Sequence, residues 1–190
     1  LAYAKANNIP VTASKTATNK TVKFDNLELG YYLIESSVGT ALQLNHTIKN
    51  VVVEEKNSIP TPDKEILEDG KVLGKESDAN VGDVVYYEVT LSNVAGLKKV
   101  KLVDTMDEGL TFNNDATYTI GSEYDSDNKK SITPTSTNAT GATVYTFDFT
   151  NVAVNIEIDS EPIDIVVRYS ATVNEKAVKG YVLNDVVIDY

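Results

Sequence analysis

The feature that most constrains the fold is a succession of short segments in which apolar and polar residues alternate. Each segment is closed by a turn signal and none is followed by a helix. "DVVYYEVTLSN", "KKVKLVDTM", "ATYTI", "TVYTFDFTN", "IDIVVRYSATVN" and "YVLNDVVIDY" follow one another from Asp83 to Tyr190, with "NVAG", "DEG", "YDSDNKK" and "NATG" between them. Regular short strands without intervening helices predict an antiparallel β-sandwich of immunoglobulin type. Abundant Thr, Val and Tyr favour strands in the same way. Only "LAYAKANN", residues 1–8, reads as helical, for about two turns.

Upstream, "TVKFDNL", "GYYLIES" and "TIKNVVVEEK" are also strand-like. The segment "NSIPTPDKE" then carries Pro60 and Pro62. Proline fixes φ and removes a donor, so this segment is expected to be a linker or a domain edge. The expected fold is all-β: two Ig-like antiparallel β-sandwich domains in tandem, residues 1–59 and 60–190, the first incomplete. Three or four strands do not close a sandwich. The missing strands are expected upstream of Leu1, which is not a natural start, so the chain is read as a fragment or a processed form.

Composition narrows the function classes. A chain of 190 residues that is 42% hydrophobic and 24% charged can bury a core. Its net charge of −11 argues against nucleic acid, whose phosphates need a basic face. It contains no cysteine, so it has neither disulfides nor thiolate chemistry. No apolar run approaches the roughly 20 residues of a membrane-spanning helix, and no signal peptide opens the chain.

Phase then separates ordinary charges from unusual ones, because each strand buries one face. Glu88, Asp148, Asp164 and Arg168 alternate with apolar residues and fall on solvated faces. Three residues fall in phase with the core instead. Asp104 lines up with Val100 and Leu102, and Asn184 with Val182, Val186, Ile188 and Tyr190. Lys64 lines up with Ile66. They come from an early, a middle and the last strand of the second domain.

A buried charge is costly and tends to neutralise, which lowers a lysine pKa and raises a carboxyl pKa. A neutral amine is a nucleophile. A protonated carboxyl can polarise the asparagine amide and shuttle protons while ammonia leaves. The product is an isopeptide bond between the first and last strands, which restricts the unfolded chain as a disulfide does. The same residues also fit a Lys64–Asp104 ion pair capped by Asn184, and phase alone leaves both readings open.

"VGDVVYYEVTLSN" followed by "VKLVDTMDEGLTF", with "ATVNEKAVKGYVLNDVVIDY" closing the chain, resembles the fimbrial isopeptide-forming domain of Gram-positive sortase-assembled pilin subunits. The resemblance covers roughly residues 60–190. It implies an isopeptide bond between Lys64 and Asn184, with Asp104 as its catalyst. Lys71 and Lys75 are rival nucleophiles, but they follow the turn-like "EDGK" and "LGK" and are expected to be exposed. In the first domain, "FDNLELGYYLIESS" is similar to the signature of collagen-adhesin B-type repeats. That similarity implies a bond-promoting role for Glu35, with Asn50 as a candidate acceptor; Glu35 fits equally a strand-end surface carboxylate. Pilin backbones also carry a polymerisation lysine in a "Y-P-K-N" context. Lys56 precedes Asn57 at the corresponding point, but Glu54 and Glu55 replace the tyrosine and proline.

The resemblance implies a structural subunit of a covalently polymerised pilus on a Gram-positive cell wall. Its partners would be neighbouring pilin subunits, a pilin-class sortase and a host surface ligand. No cofactor and no metal are expected, and the self-catalysed bond turns over once, so no enzyme is expected. An adhesin or tip module binding a host protein or glycan is the alternative; an accessory β-sandwich of a surface enzyme would need a loop constellation that is not seen. "YDSDNKK" (Tyr124 to Lys130) lacks the glycine and the bidentate glutamate of an EF-hand and reads as a hairpin tip. His46 is the single histidine and supports neither a zinc site nor a triad.

Overall fold

The computed structural model describes residues 7–18, 21–28, 30–36, 41–46, 59–95, 97–156, 163–177 and 180–190. The chain divides into two compact units, Leu1–Asn57 and Ser58–Tyr190.

In the first unit, β1 (Gly30–Glu35) pairs antiparallel with β2 (Ala41–His46), from Gly30 opposite His46 to Glu35 opposite Ala41. "TVKFDNL" does not form the expected strand. Thr21 makes an isolated bridge to Thr18, and the chain from Val22 to Glu28 is irregular, with Asn26 in the left-handed region at φ 57°. One left-handed residue breaks the extended run that the alternation requires. The expected helix at residues 1–8 reduces, where described, to a turn at Asn7 and Asn8. The strand expected at residues 47–56 lies outside the described residues.

The second unit is a two-sheet antiparallel sandwich. Its larger sheet contains β3 (Thr61–Glu68), β4 (Lys71–Gly74), β5 (Val84–Ser92), β7 (Leu110–Phe112), β8 (Thr117–Ile120), β9 (Lys130–Ser131) and β12 (Ile165–Val173). The order is β4-β3-β5-β12-β8-β9, with β7 also on β12. The smaller sheet contains β6 (Lys101–Asp107), β10 (Thr135–Ala139), β11 (Ala142–Asp148) and β13 (Asn184–Asp189), in the order β10-β11-β6-β13. A single helical turn, α1 (Thr150–Ala153), and a 3-10 turn (Glu175–Ala177) complete it. No described helix is long and apolar enough to cross a membrane.

The segment "NSIPTPDKE", expected to be a linker or a domain edge, holds the boundary between the two units and runs into a strand from Thr61 onward. Pro62 sits opposite Leu91 of β5, whereas β4 joins the other side of β3 only from Ile66. Pro62 is thus near the start of β3, where only one side of the strand is paired, a position at which proline is tolerated.

Alternation fills the space between the sheets. Val89, Leu91, Leu102, Met106, Phe147, Phe149, Ile165 and Val167 are all buried there. Phe112, Phe147, Tyr87 and Tyr169 cluster in the same interior, with ring centroids 5.3 to 6.1 Å apart along the chain of contacts from Tyr87 through Tyr169 and Phe112 to Phe147. Tyr190, expected on the buried face of the last strand, lies beyond β13 and is 39% exposed. Val182 precedes β13, and Val186 and Ile188 are half-buried. The physical reason is position: β13 is the last strand of its sheet, so its inner face has neighbours on one side.

Candidate functional site

Three strands from the two sheets bring the unusual residues together. β6 alternates buried positions with half-buried or exposed ones, and Asp104 is one of the buried ones, between Leu102 and Met106. β13 runs antiparallel beside it, with Val186 opposite Asp104 and Asn184 opposite Met106. Directly opposite residues share a face, so Asn184 is the diagonal neighbour of Asp104 on the inner face, within reach of its side chain. β3 belongs to the other sheet and presents Lys64 from the level of Val89.

The Lys64 amine donates a hydrogen bond to Oδ2 of Asp104 at 2.9 Å, with the two side chains only 10% and 1% exposed. The Tyr169 hydroxyl donates to the same Oδ2. Tyr87 and Tyr169 are stacked with centroids 5.3 Å apart, and the Lys64 Nζ lies 4.7 Å from the first ring and 5.3 Å from the second. Oδ1 of Asp104 and both amide atoms of Asn184 are buried without a hydrogen-bond partner. Each unpaired buried group costs on the order of 1–3 kcal/mol. Three of them around one ion pair mark a place where stability is given up.

Electrostatics follow from burial. Loss of solvent pushes Lys64 down to about 8, against the pull of Asp104 and, more weakly, of Asp185. The same loss pushes Asp104 up; Lys64 and the Tyr169 hydroxyl offset this in part. Burial, helped by the neighbouring Asp104 carboxylate and opposed by the nearby Asn184 amide, raises Tyr87 to about 12 and Tyr169 well above the ordinary tyrosine value. Both directions within the pair favour moving the proton from Nζ to the carboxyl. The neutral pair that results contains a nucleophilic amine and a hydrogen-bond-donating acid beside an amide that caps neither of them.

This shift is measurable when the amide is removed. In Asn184→Ala, Lys64 is expected to titrate near 8, well below the ordinary lysine value, in NMR of ¹³C-labelled lysine side chains. Its unfolded-state value is near 10.5. The unfolded chain therefore holds more protons between those values, and the Lys64 contribution to stability rises with pH through that window.

The rival nucleophiles stand apart from this cluster. Lys71 and Lys75 are exposed, and Lys75 pairs with Asp63. Glu35 is exposed at the end of β1. Asn50 and Lys56 lie outside the described residues. In the hairpin tip at Tyr124–Lys130, Asp125 accepts from the Asp127 backbone N–H at 3.0 Å and from Asn128 Nδ2 at 2.6 Å. No cluster of three or more His, Cys, Asp or Glu residues able to hold a metal occurs among the described residues. Tyr87 and Tyr169 were legible from phase as core residues but not as members of the site. The signal was available: a hydroxyl on an inward position must find a partner.

No protein-family model and no curated protein matches the chain. Solved structures do. The chain is similar to the major pilin SpaA of Corynebacterium diphtheriae, with a TM-score of 0.53 and 17% identity, over 93% of this chain and 47% of that one. It is similar to the full-length pilus protein RrgB of Streptococcus pneumoniae, with a TM-score of 0.49 and 24% identity, over 85% and 28%. The major pilin GBS80 of Streptococcus agalactiae gives a TM-score of 0.45 and 18% identity, over 70% and 50%. The chain thus spans half or less of the length of each of these structures. The SpaA likeness shows the fold: this chain has the Ig-like antiparallel architecture of a pilin.

Proposed function

We propose that this chain is part of a structural subunit of a covalently assembled pilus on a Gram-positive cell surface, with its second unit locked by a self-made Lys64–Asn184 isopeptide bond. One observation carries the reading. A buried Lys64–Asp104 pair stands beside an Asn184 amide that makes no hydrogen bond to either member of the pair. An ion pair kept for stability would spend the amide on capping it, since unpaired buried polar groups are costly.

In the reaction, the Lys64 amine, having passed a proton to Asp104, attacks Cγ of Asn184. Asp104 hydrogen-bonds the amide oxygen as negative charge builds there, takes the second proton from the amine and delivers a proton to the amide nitrogen. The C–N bond to that nitrogen breaks and ammonia leaves. A new amide joins Nζ to Cγ, and Asp104 is left holding the proton it first took from Lys64, which the departing ammonia carries off as ammonium or solvent accepts. The event happens once per chain, so the protein is a single-turnover catalyst of its own cross-link and not an enzyme.

The pilus part of the proposal is supported by the likeness in fold to SpaA, a major pilin whose structure points to a modular pilus assembly with stabilising isopeptide bonds. On this reading the partners are neighbouring subunits and a pilin-class sortase, Lys56 is the residue joined to the next subunit, and the location is the wall-anchored pilus outside the cell. Intact mass spectrometry tests the bond: the folded chain should weigh one ammonia less than its sequence, and digestion should yield a branched peptide joining Lys64 to Asn184. A full sequence mass would refute it. Incubation with a pilin-class sortase and a sorting-signal peptide tests Lys56, with Lys56→Arg abolishing the conjugate.

A further inference from the structure

The Asp104 carboxyl is used unevenly. Oδ2 accepts from both the Lys64 amine and the Tyr169 hydroxyl, while Oδ1 accepts from no described residue. A carboxyl on a short side chain can rotate and exchange its oxygens. Two donors converging on one oxygen from β3 and β12, both in the opposite sheet, fix which oxygen faces which group. Tyr169 is itself held: it is 3% exposed, stacked on Tyr87 and flanked by Phe112 and Phe147. A hydroxyl on so rigid a ring makes a well-placed clamp.

We propose that Tyr169 is a positioning residue for isopeptide formation: its hydroxyl pins Asp104 Oδ2 beside the Lys64 amine and thereby reserves Oδ1 for the Asn184 amide. The inference rests on the function proposed above. No bond to Tyr169 is made or broken, and the proton inventory of the reaction is unchanged. Its role is to keep the acid aimed at the amide while the amine attacks, so its loss acts on the rate more than on the fold.

A clamp of this kind has a pH signature that packing lacks. A hydroxyl donating to a carboxyl favours the charged form. Without that hydroxyl, Asp104 holds its proton to higher pH. The inert combination of protonated acid and ammonium then persists further up the pH scale. The titratable groups facing Asp104 are Lys64 on β3, Tyr87 on β5, Tyr145 on β11, Tyr169 on β12 and Asp185 on β13; burial raises the three tyrosines, so they stay neutral through the acid limb. Tyr87 lies in the same wall and contributes no hydrogen bond to Asp104, which makes it the natural control.

The test uses full-length chain recovered unreacted from inclusion bodies and refolded by dilution at a series of pH values. Intact mass follows the loss of ammonia with time. Tyr169→Phe should slow the plateau rate by about tenfold or more and move the acid limb of the rate profile up by about one pH unit. Tyr87→Phe should leave that limb in place. Replacing Tyr169 with 3-fluorotyrosine, a stronger donor of nearly the same shape, should move the limb down. This near-isosteric variant keeps the test decisive if Tyr169→Phe refolds poorly. If wild-type chain loses ammonia but both Tyr169 variants keep its rate and limb, the positioning role is overturned while the bond stands. A limb shift of equal size in Tyr87→Phe overturns it as well. Wild-type chain that never loses ammonia overturns both proposals together.

Discussion

Asp104→Ala is expected to restore the full sequence mass and to lower the melting temperature of the second unit by roughly 15–20 °C. The size comes from the loop that the bond closes. Lys64 and Asn184 bracket a loop of about 120 residues, and restricting such a loop in the unfolded chain is worth about 5 kcal/mol in the chain-entropy account. For a unit of this size each kcal/mol is worth about 3–4 °C. The substitution also leaves the Lys64 amine buried between Tyr87 and Tyr169 without its carboxylate. That amine would neutralise, because burial already holds its pKa near 8 even with the carboxylate in place. A comparison isolates the covalent part. Lys64→Met removes both the bond and the buried charge, and it should melt below wild type by nearly the loop contribution alone. Calorimetry on both variants, with masses recorded on the same samples, checks the prediction. Asp104→Ala with an unchanged melting temperature and full mass would show that the bond contributes nothing to stability.

Parity along a strand was legible in the sequence because it needs no knowledge of neighbours. Asp104 alternates with Val103 and Thr105 whichever strand it pairs with, and it is fully buried. Lys64 could be placed by the same rule even on a strand that had been read partly as a linker. Proximity was not legible. Asn184 lies diagonal to Asp104 because β13 joins the edge of the sheet beside β6, and Lys64 meets Asp104 because β3 lies in the facing sheet. Sheet order depends on long-range pairing, and no residue of the three strands encodes it locally. The resemblance to isopeptide-forming pilin domains supplied that information instead.

The strands that went unread share a different physical cause. β10, "TSTNA", is exposed at every position, so it has no apolar stripe; its pairing with β11 from Thr135–Thr146 to Ala139–Ala142 makes it a strand. β4 and β7 are four and three residues long and are likewise defined by partners, β3 and β12. Conversely, "TVKFDNL" has the alternation but no described partner beyond the Thr18–Thr21 bridge. Alternation shows that a segment can bury one face, while pairing decides whether it becomes a strand.

Pulling the second unit by its ends should give the largest effect of all. The chain has no cysteine, so Ile59→Cys and Tyr190→Cys supply unique handles for a single-molecule force measurement. With the bond in place, the segment between Lys64 and Asn184 carries no load. Unfolding then releases only the few residues outside the lock. The five β13 residues after Asn184 are zipped to β6 and end at the Lys99–Asp189 ion pair, 2.5 Å long. Asp189 lies opposite Lys101 at the start of β6, and Thr61 lies opposite Ser92 at the end of β5, one connection away. Force therefore enters and leaves at the same end of the sandwich, and without a lock it would peel both terminal strands from their sheets one pair at a time. That geometry resists weakly, which is the physical reason a cross-link between these two strands matters more than one placed elsewhere. Lys64→Ala should add a step of roughly 400 Å, the extended length of the freed segment at about 3.4 Å per residue. Wild-type molecules that show the same long step would exclude a covalent lock between β3 and β13.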